Sequence, residues 1–174
     1  VELAANAAAQ NLGCSRKRRD GPHGLPYVEA REFSAIADIE DDNSVDAGML
    51  AQALRRDVST DAMELHYQPQ LDAASGEVVG VEALVRWRHA DGSLMFPDEF
   101  LPIVERSGLM PALTNNVLRM ALSTSADWHR AGFDLTMSVN VSASDLRSAD
   151  FVTRVSDALA DHDVAPDRLI LELT

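Results

Sequence analysis

Lysine is nearly absent from this 174-residue chain: Lys17 is the only one. Cysteine is as scarce, with Cys14 alone, so no intrachain disulfide can form. That scarcity fits a reducing, cytoplasmic compartment. Aromatic residues make up 5% of the chain, which leaves few platforms for stacking a sugar. Basic residues are outnumbered, 15 Lys and Arg against 28 Asp and Glu, for a net charge of −13. A broad basic surface for nucleic acid is thereby excluded. A small anionic ligand is not, because a few placed arginines or a metal can invert the local field. No apolar run approaches the roughly 20 residues of a membrane helix. No glycine-rich loop follows a strand-like segment, which disfavours a Rossmann-type nucleotide site. The apolar "VELAANAAAQNL" precedes the basic "RKRR", the reverse of a secretory signal.

What is present is globular: 46% hydrophobic and 25% charged residues, enough for one domain with a core. Two regions differ. Residues 1–45 hold an alanine-rich stretch, "CSRKRRDGPHGLP" and the acidic "ADIEDDNSVD", and read as a partly disordered linker or the remnant of a preceding domain. Arg16 to Arg19 read as a solvated linker rather than a lipid or nucleic-acid contact, since no aromatics interleave them. From Asp46 the patterning is strict. Asp46 is placed to cap a helix bearing Met49, Leu50, Ala53 and Leu54 on one side. "ELHYQPQLD" and "VVGVEALVRWRH" alternate as strands, separated by the turn-like "AASGE". "PDEFLPIVERSG" is helical, with Pro102 set to break or tighten it. A longer helix spans Pro111 to Arg130, stopped by Gly132. "LTMSVNVS" is the third strand, "SADFVTRVSDALADH" a helix capped by Ser148 with Phe151, Val155 and Leu159 as its buried stripe, and "RLILELT" the fourth strand. After the opening pair, β-α-β-α-β alternation argues a parallel sheet, either a (β/α) barrel or an open doubly wound sheet.

Strand parity then sorts the polar residues. Gly80, Glu82, Leu84 and Arg86 share one face of the second strand, opposite Val81, Ala83, Val85 and Trp87. Ser138, Asn140 and Ser142 oppose Met137, Val139 and Val141; Glu172 opposes Leu171 and Leu173; His66, Gln68 and Gln70 oppose Leu65, Tyr67 and Pro69. One face of every strand is apolar and the other carries Gln68, Glu82, Arg86, Asn140 and Glu172. A barrel explains this, with helices packed outside and a site at the inward strand ends. Two carboxylates and an amide oxygen are hard ligands, suited to Mg²⁺, Mn²⁺ or Ca²⁺ rather than Zn²⁺. Arg86 is placed for a phosphate oxygen. The plainer alternative is a Glu82–Arg86 ion pair with no ligand. Carboxylate pairs on barrel strands also serve retaining glycosidases, but the low aromatic content and Arg86 favour an anionic substrate. Trp87, Trp128, Met120 and Met137 read as packing residues.

"LHYQPQLDAASGEVVGVEALVRWRHADGSLMFPDEFLPIVERSGL", with "MSVNVSASDL" and "LILELT", closely resembles the EAL domain family of bacteria, which hydrolyses cyclic di-GMP to pGpG. The match covers roughly Met63 to Thr174, with Glu82, Ala83 and Leu84 as the "EAL" itself. The resemblance implies a TIM-like (β/α) barrel whose first strand is antiparallel. It implies Glu82, Asn140 and Glu172 as ligands of Mg²⁺ or Mn²⁺, and Gln68, Leu84 and Arg86 as contacts to cyclic di-GMP. The stretch before Asp46 is faintly similar to the end of a GGDEF domain. The family pattern continues past "ELT" with paired aspartates, a lysine, and later glutamate and glutamine, none of which follows here. The matched 112 residues compare with about 250 in a TIM barrel, so residues 46–174 are expected to be a truncated EAL domain, the N-terminal half only. No complete catalytic set is expected, and little or no activity from this chain alone. The alternative is a non-catalytic cyclic di-GMP-binding or regulatory module, partnered by a complementary C-terminal half or an EAL homodimer.

Overall fold

A computed structural model describes residues 43–173. The expectations for residues 1–42, the basic run included, lie outside the described residues. Helix α1 (Asn43–Asp57) leads into strands β1 (Met63–Leu71) and β2 (Val78–Arg88) and the short β3 (Leu94–Met95). Helices α2 (Pro97–Arg106) and α3 (Met110–Arg130) follow, then β4 (Thr136–Val141), a one-turn α4 (Ala143–Leu146), α5 (Phe151–Asp161), a 3-10 turn at Pro166–Arg168 and β5 (Leu169–Leu173).

The sheet runs β1-β2-β4-β5, with β3 pairing on β2. β1 is antiparallel to β2, whereas β2, β4 and β5 are mutually parallel. The expected antiparallel first strand and the right order are therefore present. The sheet is not closed into a barrel: within the described residues β1 and β5 are its edges.

Parity explains which face packs. Val81, Ala83 and Trp87 of β2 and Met137, Val139 and Val141 of β4 are buried, together with Leu54 of α1, Phe100 and Val104 of α2, and Leu113, Val117, Leu118 and Ala121 of α3. Each such large apolar side chain contributes about 1.5–3 kcal/mol by leaving water. Trp87 is the hub. It is fully buried, meets Phe100 edge-on at 6.1 Å, and donates its indole N–H to Asp57 Oδ2 at 3.1 Å, tying α1 to the sheet. Trp128 meets Tyr67 edge-on at 4.9 Å, and Met137 is buried, so the packing roles expected of these residues hold.

Several boundaries differ from expectation, each for a local reason. α1 begins at Asn43, so Asp46 lies inside its first turns; neither proline nor glycine interrupts Asn43 to Asp46. Met49 is exposed, at the edge of the stripe that buries Ala53 and Leu54. Pro102 does not break α2. Its ring faces solvent, where the carbonyl it leaves unpaired can bind water. α5 starts at Phe151 after Asp150, and Ser148 instead donates its hydroxyl to the Asp150 carboxylate. Of its expected stripe only Phe151 is buried; Val155 and Leu159 are half-buried. β3 and α4 went unpredicted because two- and four-residue elements carry no periodicity.

Candidate functional site

Register brings the polar faces of the four long strands together. Gln68 of β1 pairs with Glu82 of β2, Glu82 with Ser138 of β4, and Asn140 of β4 with Glu172 of β5. Glu82 Oε1 accepts a hydrogen bond from Asn140 Nδ2 at 2.7 Å, which links two of the expected metal ligands directly. Glu172 Oε1 accepts from Gln70 Nε2 at 3.4 Å. Gln68 lies exposed on the same face, and Leu84 and Arg86 continue it toward the C-terminal end of β2. All six expected site residues thus share one face.

The electrostatics of that face are unbalanced. Glu82 and Glu172 are half-buried, and among the described residues neither forms an ion pair. Two partly desolvated carboxylates without a countercharge are costly. A divalent cation would relieve that cost. The donor set suits it: two carboxylates and an amide oxygen are the hard oxygen ligands that Mg²⁺ and Mn²⁺ take. Three such donors are half of an octahedron, and among the described residues no third His, Cys, Asp or Glu joins the two glutamates.

Arg86 is not paired with Glu82, which removes the plain ion-pair alternative. Its guanidinium stacks over the Phe96 ring at 4.7 Å, and Nη1 donates to the Val85 carbonyl at 2.8 Å. Nε is buried without a partner. Burial pulls the Arg86 guanidinium below its ordinary value, opposed by the nearby Asp98 carboxylate. An arginine held against a ring still carries its charge and can take an anion. The placement comes from local chain chemistry. Glu99 accepts the Phe96 N–H at 2.6 Å at the start of α2, with Pro97 next, so the Phe96 ring is fixed beside β2.

Below Asn140, Ser142 caps α4 and exchanges hydrogen bonds with the fully buried Asp145, which also accepts from Thr114 Oγ1 at 2.9 Å. This anchors the end of β4 to α3. Sequence reasoning missed Gln70, Ser138, Phe96 and Asp145 as contributors. Parity had already placed Gln70 and Ser138 on the polar face, and only their pairing across strands was hidden. Gly80 carried a readable signal: a glycine inside a strand marks a close approach.

Comparison with known proteins identifies the family and the fold. A family model described as the EAL domain matches residues 51–174. A cyclic di-GMP phosphodiesterase of Pseudomonas aeruginosa is 36% identical over 176 residues, covering 100% of this chain and 27% of its own length. The cyclic di-GMP phosphodiesterase NbdA of the same organism is 41% identical over 126 residues, 72% of this chain and 16% of the relative. Among solved structures, the PaMucR phosphodiesterase in complex with c-di-GMP superposes with a TM-score of 0.67 at 37% identity, covering 71% of this chain and 50% of that one. The Xanthomonas citri FimX EAL domain, at 23% identity and a TM-score of 0.68, shares the fold over 75% of this chain and 51% of its own. The chain thus spans about half of these solved structures and no more than 27% of these curated relatives.

Proposed function

The chain belongs to the EAL domain family, and on that premise we propose that residues 46–174 carry the N-terminal half of a cyclic di-GMP phosphodiesterase site, acting in the cytoplasm. The reaction of the whole site is hydrolysis of cyclic di-GMP to pGpG. The observation that carries this reading is the pair of half-buried carboxylates, Glu82 and Glu172, on one face of the sheet on either side of β4, with no basic side chain paired to either among the described residues.

Glu82, Asn140 and Glu172 would hold Mg²⁺ or Mn²⁺. Such a cation, when bound, supplies Lewis-acid charge and lowers the pKa of water for attack on a phosphodiester. The protein's own residues do the rest. Asn140 orients Glu82 through its 2.7 Å bond. Arg86, stacked on Phe96, supplies its guanidinium charge to a phosphate oxygen. Gln68 and Leu84, on the same face, contact the dinucleotide with a polar edge and an apolar surface. The only lysine of the chain, Lys17, lies far in sequence from these strands, so the 174-residue chain by itself binds more readily than it turns over.

That last point favours a second reading, a cyclic di-GMP-binding or regulatory module completed by a complementary C-terminal half or a second EAL copy. That Arg86, Gln68 and Leu84 lie on one face of β1 and β2 supports binding whether or not hydrolysis follows. One pair of measurements separates the readings. Calorimetry with cyclic di-GMP and Mn²⁺ should show binding that Arg86→Ala weakens about tenfold or more. A hydrolysis assay on the same protein should show little or no pGpG. Robust turnover would overturn the half-site account, and no binding at millimolar nucleotide would overturn both.

A further inference from the structure

Gln70 reaches across the sheet. It sits on β1, opposite Gly80 of β2, yet its Nε2 donates to Ser138 Oγ on β4 at 3.3 Å and to Glu172 Oε1 on β5 at 3.4 Å. β1 and β5 are separated by two intervening strands, about 14 Å along a flat sheet. Side chains can close that gap only where the polar face is concave and nothing stands between. Gly80 is what leaves the way open. A Cβ there would lie 3.1 Å from Gln70 Oε1 and 2.3 Å from Thr136 Oγ1. Ser138 is fully buried, so the hydroxyl that Gln70 grips has a fixed position.

We infer that Gln70 is a positioning residue for Glu172: braced on Ser138 through the gap at Gly80, it turns one carboxylate oxygen aside and leaves the other directed for a divalent cation. The inference rests on the reading of Glu172 as a metal ligand. At 3.3–3.4 Å the hydrogen bonds are long, so their contribution is orientation more than binding energy. Carboxylate ligands are commonly oriented by such outer hydrogen bonds, and losing one lowers metal affinity about 10- to 100-fold. Glu82 has its own orienting partner in Asn140; Gln70 gives Glu172 the equivalent.

The test is Mn²⁺ binding to the 174-residue chain, followed by the electron paramagnetic resonance signal of free Mn²⁺, in the parent and in Gln70→Leu, Ser138→Ala and Glu172→Gln. Unfolding midpoints of each variant, with metal-free protein, are measured alongside. The expected result is a loss of Mn²⁺ affinity of about tenfold in Gln70→Leu and a smaller loss in Ser138→Ala, with both variants folded under the binding conditions. If Glu172→Gln abolishes binding and Gln70→Leu leaves it unchanged, the positioning role is refuted while the metal reading stands. A Gln70→Leu variant that merely unfolds more easily, with parental Mn²⁺ affinity while folded, gives the same refutation. If Glu172→Gln binds Mn²⁺ as the parent does, the metal-ligand reading has failed and the inference falls with it. A second readout is the side-chain amide resonance of Gln70, which should shift on adding Mg²⁺ to the parent and stay unmoved in Glu172→Gln.

Discussion

Replacing Gly80 with alanine adds one methyl group where the structure has no room for it. The new Cβ would stand 2.3 Å from Thr136 Oγ1, 3.1 Å from the Thr136 carbonyl oxygen and 3.1 Å from Gln70 Oε1. The Thr136 hydroxyl can rotate, and it gives up only its 3.3 Å bond to the Val79 carbonyl. The Thr136 carbonyl belongs to the β2–β4 ladder and cannot move without parting the strands, because Gly80 and Thr136 are register partners. Overpacking of this kind costs about 1–3 kcal/mol. Alanine also restricts the unfolded chain, which returns about 0.4–1 kcal/mol. The net expectation is a loss of about 1–2 kcal/mol, or a Tm lower by about 3–10 °C for a domain of this size. Thermal unfolding followed by circular dichroism measures it. Thr136→Ala should be nearly neutral alone and should restore part of the loss when combined with Gly80→Ala, since it removes the nearest of the three atoms but not the other two. A Gly80→Ala protein as stable as the parent would refute the crossing of Gln70 over an empty position.

Other perturbations probe the surrounding structure. Phe96→Leu removes the ring under Arg86 and should weaken cyclic di-GMP binding about three- to fivefold, the scale of an exposed cation–π contact, while Phe96→Tyr retains it; equal affinities in calorimetry would show that the stacking at 4.7 Å does not hold Arg86 in place. Trp87→Phe loses the indole bond to Asp57 and part of a fully buried ring, so urea unfolding should report about 1–3 kcal/mol of lost stability; a change under about 0.5 kcal/mol would contradict the hub role. The Arg88 hydrogen bond holds the Glu64 carboxylate below its ordinary value of 4.5, with burial working against it. A carboxylate whose folded pKa is depressed adds stability above its unfolded pKa and loses it as pH falls through the folded one. Glu64→Gln should therefore be less stable than the parent near neutral pH, with the gap closing below about pH 4.5; a gap constant across an acid titration of unfolding would dismiss the link.

The sequence made the faces of the strands legible but not the distances between them. Alternation alone put Glu82, Asn140 and Glu172 on one side, and the side-chain period of two leaves no freedom once the opposite face is buried. Register was not readable. Gln68 opposite Glu82 depends on the turn that joins an antiparallel pair, and Asn140 opposite Glu172 on the helical crossover between two parallel strands. The Gln70–Glu172 contact was hidden for the same reason: 102 positions separate the two residues in the chain. Short elements escaped too. The turn at Ser142 to Asp145 is fixed by reciprocal side-chain and backbone bonds, which leave a capping signature but no periodicity. Arg86 illustrates the converse. Its face was predicted correctly, but its partner was not, because Phe96 lies past a turn and a two-residue strand.

What these four strands hold also bears on what they can do alone. Charge stabilisation in a transition state is strong where water is excluded and the dielectric is low. Here Gln68 is exposed, Glu82 and Glu172 are only half-buried, and β5 presents Ile170, Leu171 and Leu173 to solvent. A cation or phosphate bound on this open face would be attracted through partly hydrated protein, at an effective dielectric nearer that of a protein surface than of an interior. Such a face can orient ligands, through Asn140 on Glu82 and Gln70 on Glu172, but it cannot strengthen their fields. On the proposed reading, recognition would survive on the described strands more fully than rate acceleration would, and covering the face should raise metal affinity before any new ligand is added. A second protein segment laid over the polar face, across Ile170 and Glu172, would bury apolar surface and dry the carboxylates in one step, coupling its own binding to that of the cation.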